Sequence, residues 1–90
     1  DLGPLSRNHA CECGPSNIRV NAILPGLVKP DFARALWEND KARKAREAMT
    51  PLRRLGEPEE IGGIAVFLAS RVANFITGQT IIADGGVTIA

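Results

Sequence analysis

The sequence predicts an α/β chain that forms one end of a larger, doubly wound parallel sheet. Three observations carry that reading. The run Ile18-Arg19-Val20-Asn21-Ala22-Ile23-Leu24 alternates and then turns fully apolar, as a strand does on entering a buried sheet. A second short apolar run, Gln79 to Ala83, is closed by Asp84-Gly85-Gly86. Between the two lies a long stretch of helical pattern. A helical crossover of that length implies parallel pairing and a right-handed connection. Two parallel strands do not cover themselves, so the fold reads as incomplete on its own.

Each element follows from local chemistry. Residues 1–13 read as the end of a long helix, with Leu2, Leu5, His9 and Cys13 spaced by three and four. Pro4 suits only a first turn, where its missing N–H costs nothing. Gly14-Pro15-Ser16-Asn17 is a stop signal, and the strand over 18–24 follows it. Pro25 and Gly26 end that strand abruptly. Ligands of open α/β sheets bind outside the carboxyl ends of strands, so this turn is a candidate cofactor or substrate wall.

Residues 31–49 read as a broken helix with a new start near Asn39-Asp40. Ala42, Ala45 and Met49 are expected to face inward, and Asp40–Lys44 and Arg43–Glu47 to pair at i,i+4. Thr50-Pro51 ends the unit, and 52–56 connects. The clearest helix spans 58–70. Pro58 suits its first position, Glu59 and Glu60 suit the positive end of its dipole, and Ile61, Ile64, Ala65 and Leu68 form its apolar stripe. Gly62 and Gly63 weaken it by about 1 kcal/mol each, which suggests that another backbone approaches closely there. The last strand is expected over 79–83.

Composition bounds the function. Ninety residues with 44% apolar content and a net charge of +1 suit one small domain and demand neither nucleic acid nor an anionic membrane. No apolar run approaches the roughly 20 residues that span a bilayer. Cys11 and Cys13 make no disulfide framework, which fits a reducing, cytoplasmic compartment. With His9 they do not make a four-ligand zinc site, and no metal is expected. The basic residues Lys41, Arg43, Lys44, Arg46, Arg53 and Arg54 alternate with Glu38, Asp40 and Glu47 and lack stacking aromatics. That favours a solvated helix face over a nucleic-acid patch.

Read in order, Asn17-Ile18-Arg19-Val20-Asn21-Ala22, Pro25-Gly26, Arg54-Leu55-Gly56-Glu57-Pro58-Glu59-Glu60-Ile61, Phe67-Leu68-Ala69-Ser70, Ile76-Thr77-Gly78-Gln79 and Asp84-Gly85-Gly86 resemble the C-terminal part of a short-chain dehydrogenase/reductase. The resemblance covers roughly 7–86. It implies a Rossmann-type parallel sheet and NAD(P)-dependent interconversion of alcohols and carbonyls, in a parent that is a dimer or tetramer. By that resemblance Pro25, Gly26, Leu27 and Val28 pass beside the nicotinamide, and Phe32, Leu36, Trp37 and Met49 belong to a substrate lid. Pro30 stands where the family often has a cofactor-bonding threonine, and supplies neither hydroxyl nor N–H. Lys29 is a weak candidate for a phosphate contact.

The resemblance assigns no catalytic residue to this chain. The family's serine, tyrosine and lysine, and its glycine-rich turn, match nothing here, and the sequence contains no tyrosine. The chain alone is therefore expected to be inactive. The alternative reading is a non-catalytic interaction module, in which the helix over 58–70 and the last strand meet a second subunit. A basic nucleic-acid-binding fragment ranks below both.

Overall fold

The computed structural model describes residues 3–26, 28 and 40–89. In chain order these form α1 (Gly3–Cys13), β1 (Ala22–Pro25), α2 (Asp40–Met49), α3 (Pro58–Ala69) and β2 (Thr80–Ala83), with single 3-10 turns at Gly14–Ser16, Arg71–Ala73 and Val87–Ile89. β1 and β2 pair in a two-stranded sheet. The pairing is parallel: the Ala22 amide donates to the Gln79 carbonyl (2.9 Å), and four residues further along each strand the Gly26 amide donates to that of Ala83 (2.9 Å). The architecture is α/β, as expected.

The chain divides into two compact units. The first comprises Asp1–Leu24 and Gly62–Ile82. In it, α1 ends through a Schellman arrangement: the Asn17 amide donates to the Gly14 carbonyl (2.8 Å) and the Ile18 amide to that of Cys13 (3.2 Å). Asn17 sits at φ 60°, a left-handed conformation that asparagine tolerates better than most residues. The stop signal therefore works as a helix cap.

The strand expected from residue 18 begins only at Ala22, because side chains replace the ladder before it. The Val20 amide donates to Thr77 Oγ1 (3.0 Å), Asn21 Nδ2 donates to the Ile76 carbonyl (3.1 Å), and Asn21 Oδ1 accepts from the Gln79 amide (3.0 Å). One guanidinium nitrogen of Arg19 donates to the carbonyls of Leu68 (2.8 Å) and Ile76 (3.3 Å). A cation thus meets the carbonyl end of α3, where the helix dipole favours it.

Burial along α1 and α3 adds three points to the reading from spacing. The buried face of α1 is Gly3, Ser6 and Ala10, while Leu5 and His9 are exposed. Gly78 accounts for Ala10: a β-carbon there would lie 3.4 Å from that of Ala10 and 3.9 Å from Arg7 Cα, so the chain passes close over this part of α1. The apolar stripe of α3 is only half-buried at Ile61, Ile64 and Leu68, and Ala65 is exposed. Gly62 and Gly63 meet nothing within 4 Å, so no described part of this chain makes the close approach expected there.

The second unit comprises Pro25–Ile61 and Ala83–Ala90. Here α2 ends on two clamps. The Thr50 hydroxyl donates to the Arg46 carbonyl (2.8 Å), and the Arg53 guanidinium donates to those of Ala48 (3.0 Å) and Thr50 (2.8 Å). Arg53 adopts φ 57° to do so. The inward face expected of α2 is not realised: Ala45 and Met49 are exposed, and Ala42 is half-buried. Arg43 and Glu47 do pair at 3.3 Å, whereas the Asp40 side chain lies outside the description.

The start of α3 carries the Glu60 half of a capping box, with a main-chain turn bond in place of the other half. The Glu57 amide donates to Glu60 Oε1 (2.9 Å) while the Glu60 amide donates back to the Glu57 carbonyl (2.9 Å). Arg54 grips the same carboxylate with two nitrogens, at 2.6 and 2.8 Å. These bonds, the Arg54 pair first, lower the Glu60 pKa to about 2.

Only small or medium side chains are buried across the described residues, namely Ala10, Ala73, Leu55, Ser6 and Thr50. Val66, Val72 and Phe75 stand in the open, Phe75 entirely so. A sheet of two strands leaves such faces uncovered.

Candidate functional site

The carboxyl ends of the strands, within the second unit, hold the candidate site. Pro25 is the last residue of β1 and is exposed. Gly26 follows it, half-buried, its amide committed to the Ala83 carbonyl. A β-carbon at Gly26 would lie 2.7 Å from Asp84 Cα, 2.9 Å from its Cβ and 3.3 Å from its carbonyl carbon. Nothing bulkier than glycine fits there without displacing main chain.

Asp84 is held in turn by its own side chain. One carboxylate oxygen accepts from the Gly86 amide (2.8 Å), and the other accepts from the Thr88 amide (3.0 Å) and hydroxyl (2.7 Å). The Thr88 hydroxyl, then the amides of Gly86 and Thr88, hold the carboxyl below the usual aspartate range. These bonds tie Asp84 to the start of the 3-10 turn Val87–Ile89. Gly85 and Gly86 adopt φ 67° and 97°, and their faces pack against Thr50 Cγ2 and the Pro51 ring. The Leu52 amide donates to the Gly85 carbonyl (3.1 Å), and Val28 forms an isolated parallel bridge with Gly56. Three segments therefore meet around the strand ends: Pro25-Gly26, Thr50-Pro51-Leu52 and Asp84-Gly85-Gly86.

Of the residues singled out by resemblance, Pro25 and Gly26 belong to this cluster, and Val28, two residues on, pairs with Gly56. Met49 ends α2 and is 67% exposed. Leu27, Lys29, Pro30, Phe32, Leu36 and Trp37 lie outside the described residues. Asp84, read from sequence as a plain turn, proves to be the residue packed against Gly26. The signal for it is an aspartate followed by Gly-Gly and, four positions on, a threonine, which is the pattern of a capped turn. Arg53 and Arg54 do not point to an anion site, because the first clamps α2 and the second grips Glu60. Cys11 and Cys13 are free thiols on α1, and no cluster of metal-binding side chains exists among the described residues. No described helix is long and apolar enough to cross a membrane.

The described residues offer an exposed proline and a glycine backbone at the strand end and a half-buried valine two residues on, and Arg53 and Arg54 are both already committed to protein partners.

Known proteins give this arrangement a context. A family model described as Enoyl-(Acyl carrier protein) reductase matches residues 2–88. Dehydrogenase/reductase SDR family member 4 of Sus scrofa is 49% identical over 84 residues, covering 91% of this chain and 29% of that protein. Among solved structures, 4-hydroxyisoleucine dehydrogenase complexed with NADH superposes with a TM-score of 0.92 at 32% identity, over 99% of this chain and 37% of its own. A putative 2-deoxy-d-gluconate 3-dehydrogenase from Agrobacterium tumefaciens with bound NADP gives 0.90 at 34% identity, over 99% and 36%. The chain spans about a third of the length of these proteins. With the parallel strand pair, the glycine-lined strand ends and the capped helix all found in sequence order, the chain belongs to the short-chain dehydrogenase/reductase family.

Proposed function

We propose that this chain supplies the nicotinamide side and the substrate lid of an NAD(P)-dependent oxidoreductase that interconverts alcohol and carbonyl groups on a small molecule. The observation that carries this reading is the Pro25-Gly26 turn, at the carboxyl end of a parallel strand and packed against Asp84. Pro25, Gly26, Leu27 and Val28 flank the nicotinamide, and Phe32, Leu36, Trp37 and Met49 form an apolar lid over the substrate. The cofactor supplies or accepts the hydride when bound. The chain's part is to position the ring and exclude water, since it carries no tyrosine to move the proton. On this reading the 90 residues alone are inactive, and the working protein is a cytoplasmic homo-oligomer.

NADH and NADPH titrations of the 90-residue chain test the proposal. Binding no tighter than millimolar is expected, with amide shifts centred on Gly26 and Val28. Micromolar affinity, or shifts that avoid those two amides, would overturn it.

A second reading has an observation of its own. Gly62 and Gly63 are open on α3, and Val66, Val72 and Phe75 are exposed in the same unit. These features support an interaction module that meets another subunit through α3.

A further inference from the structure

We propose that Asp84 is a positioning residue for the Pro25-Gly26 turn, an assignment that rests on reading that turn as the nicotinamide side of the site. The main chain of Asp84 occupies the space where a β-carbon of residue 26 would stand, 2.7 Å from its Cα. It is the floor on which Gly26 lies. The Gly26 amide bonds to the carbonyl of the preceding residue, Ala83, so one short segment both supports and hydrogen-bonds the turn.

That floor is set by the carboxylate. Two oxygens accept three hydrogen bonds, from the Gly86 amide, the Thr88 amide and the Thr88 hydroxyl. They pull residues 86–88 back over residue 84 and define its backbone. Gly85 and Gly86 accept the positive φ values that this closure demands. Thr50 and Pro51 pack against those two glycines from the other side. The carboxylate oxygens bond to Gly86 and Thr88, so their influence on the turn passes through the main chain.

Residue-resolved hydrogen exchange on the full 90-residue chain tests this, with the Ala22 amide as an internal control, since it bonds to Gln79 in the other unit. In Asp84→Ala, protection of the Gly26 amide is expected to fall about tenfold while that of Ala22 stays within about twofold. In Asp84→Asn, which keeps one oxygen for the Gly86 amide, an intermediate loss is expected. Thr88→Val, which removes only the hydroxyl bond, is expected to cost least. Equal loss at Ala22 and Gly26, unchanged protection at Gly26, or a Gly26 amide unprotected in the parent chain would each overturn the assignment. The nicotinamide reading is scored separately. Loss of Gly26 protection in Asp84→Ala, with no NADH-dependent shift at Gly26 in the parent, would keep the positioning role and discard the cofactor site.

Discussion

Gly26→Ala is the substitution on which the packing argument is most exposed. The added β-carbon would stand 2.7 Å from Asp84 Cα and 2.9 Å from Asp84 Cβ. Non-bonded carbons rest at about 3.5–4.0 Å, so main chain must move by close to 1 Å. Neither side is free to do so: the Gly26 amide holds Ala83, and the Asp84 carboxylate holds Gly86 and Thr88. Overpacking of this kind costs about 1–3 kcal/mol. The smaller freedom of alanine in the unfolded chain returns about 0.4–1 kcal/mol. The expected net loss is about 1–2 kcal/mol. With a urea dependence of about 2 kcal/mol per molar, the unfolding midpoint followed by far-UV circular dichroism drops by about 0.5–1 M. Gly62→Ala is the control of opposite sign, because its β-carbon enters open space on a helix and gains about 0.5–1 kcal/mol. All variants are compared at one protein concentration. A midpoint for Gly26→Ala at or above that of the parent would refute the close-approach argument. A loss of stability in Gly62→Ala, together with a smaller assembly, would favour the subunit-contact reading of α3.

Three further outcomes follow from the same geometry. Arg19→Met removes the cation from the Leu68 and Ile76 carbonyls and is expected to cost about 1.5–3 kcal/mol, measured by the same urea titration; no change would mean that water caps α3 equally well. Glu60 is held at a pKa of about 2, below its ordinary 4.5, so the stability it adds is fully present above the ordinary value and is lost as pH falls towards 2. Glu60→Gln is therefore expected to flatten the acid side of the stability profile between those values, by a small amount because the Arg54–Glu60 pair is about half exposed. The chain is also expected to self-associate as its concentration rises, through the exposed Val66, Val72 and Phe75; a strictly monomeric sedimentation profile up to submillimolar concentration would contradict that.

The legible parts of the fold were those decided within a few residues. Pro58 at the first helical position, with Glu59 and Glu60 in the first turn, announces a helix start, and α3 begins there with Glu60 bonded back to the Glu57 amide. The stop at Gly14-Pro15-Ser16-Asn17 is likewise local, since one residue able to adopt positive φ suffices. The buried face of α1 was not legible. Leu2, Leu5, His9 and Cys13 form the better apolar spacing, yet Gly3, Ser6 and Ala10 are buried, Ala10 beneath the distant Gly78. The beginning of β1 was misread for a similar reason: Thr77 and the Asn21 side chain take over the pairing before Ala22.

For the candidate site, the sequence by itself determined that a parallel strand ends at Pro25-Gly26 and that a turn follows the last strand. These are properties of residues that break or permit backbone conformations, and they act on their immediate neighbours. Only the tertiary structure decided that the two turns touch, that Asp84 packs against the β-carbon side of Gly26, and that Arg53 and Arg54 are spent on capping α2 and on gripping Glu60. The physical reason is register. Parallel pairing brings Gly26 level with Ala83 and lays residues from opposite ends of the chain against one another, and no local pattern in either segment specifies which partner it will meet.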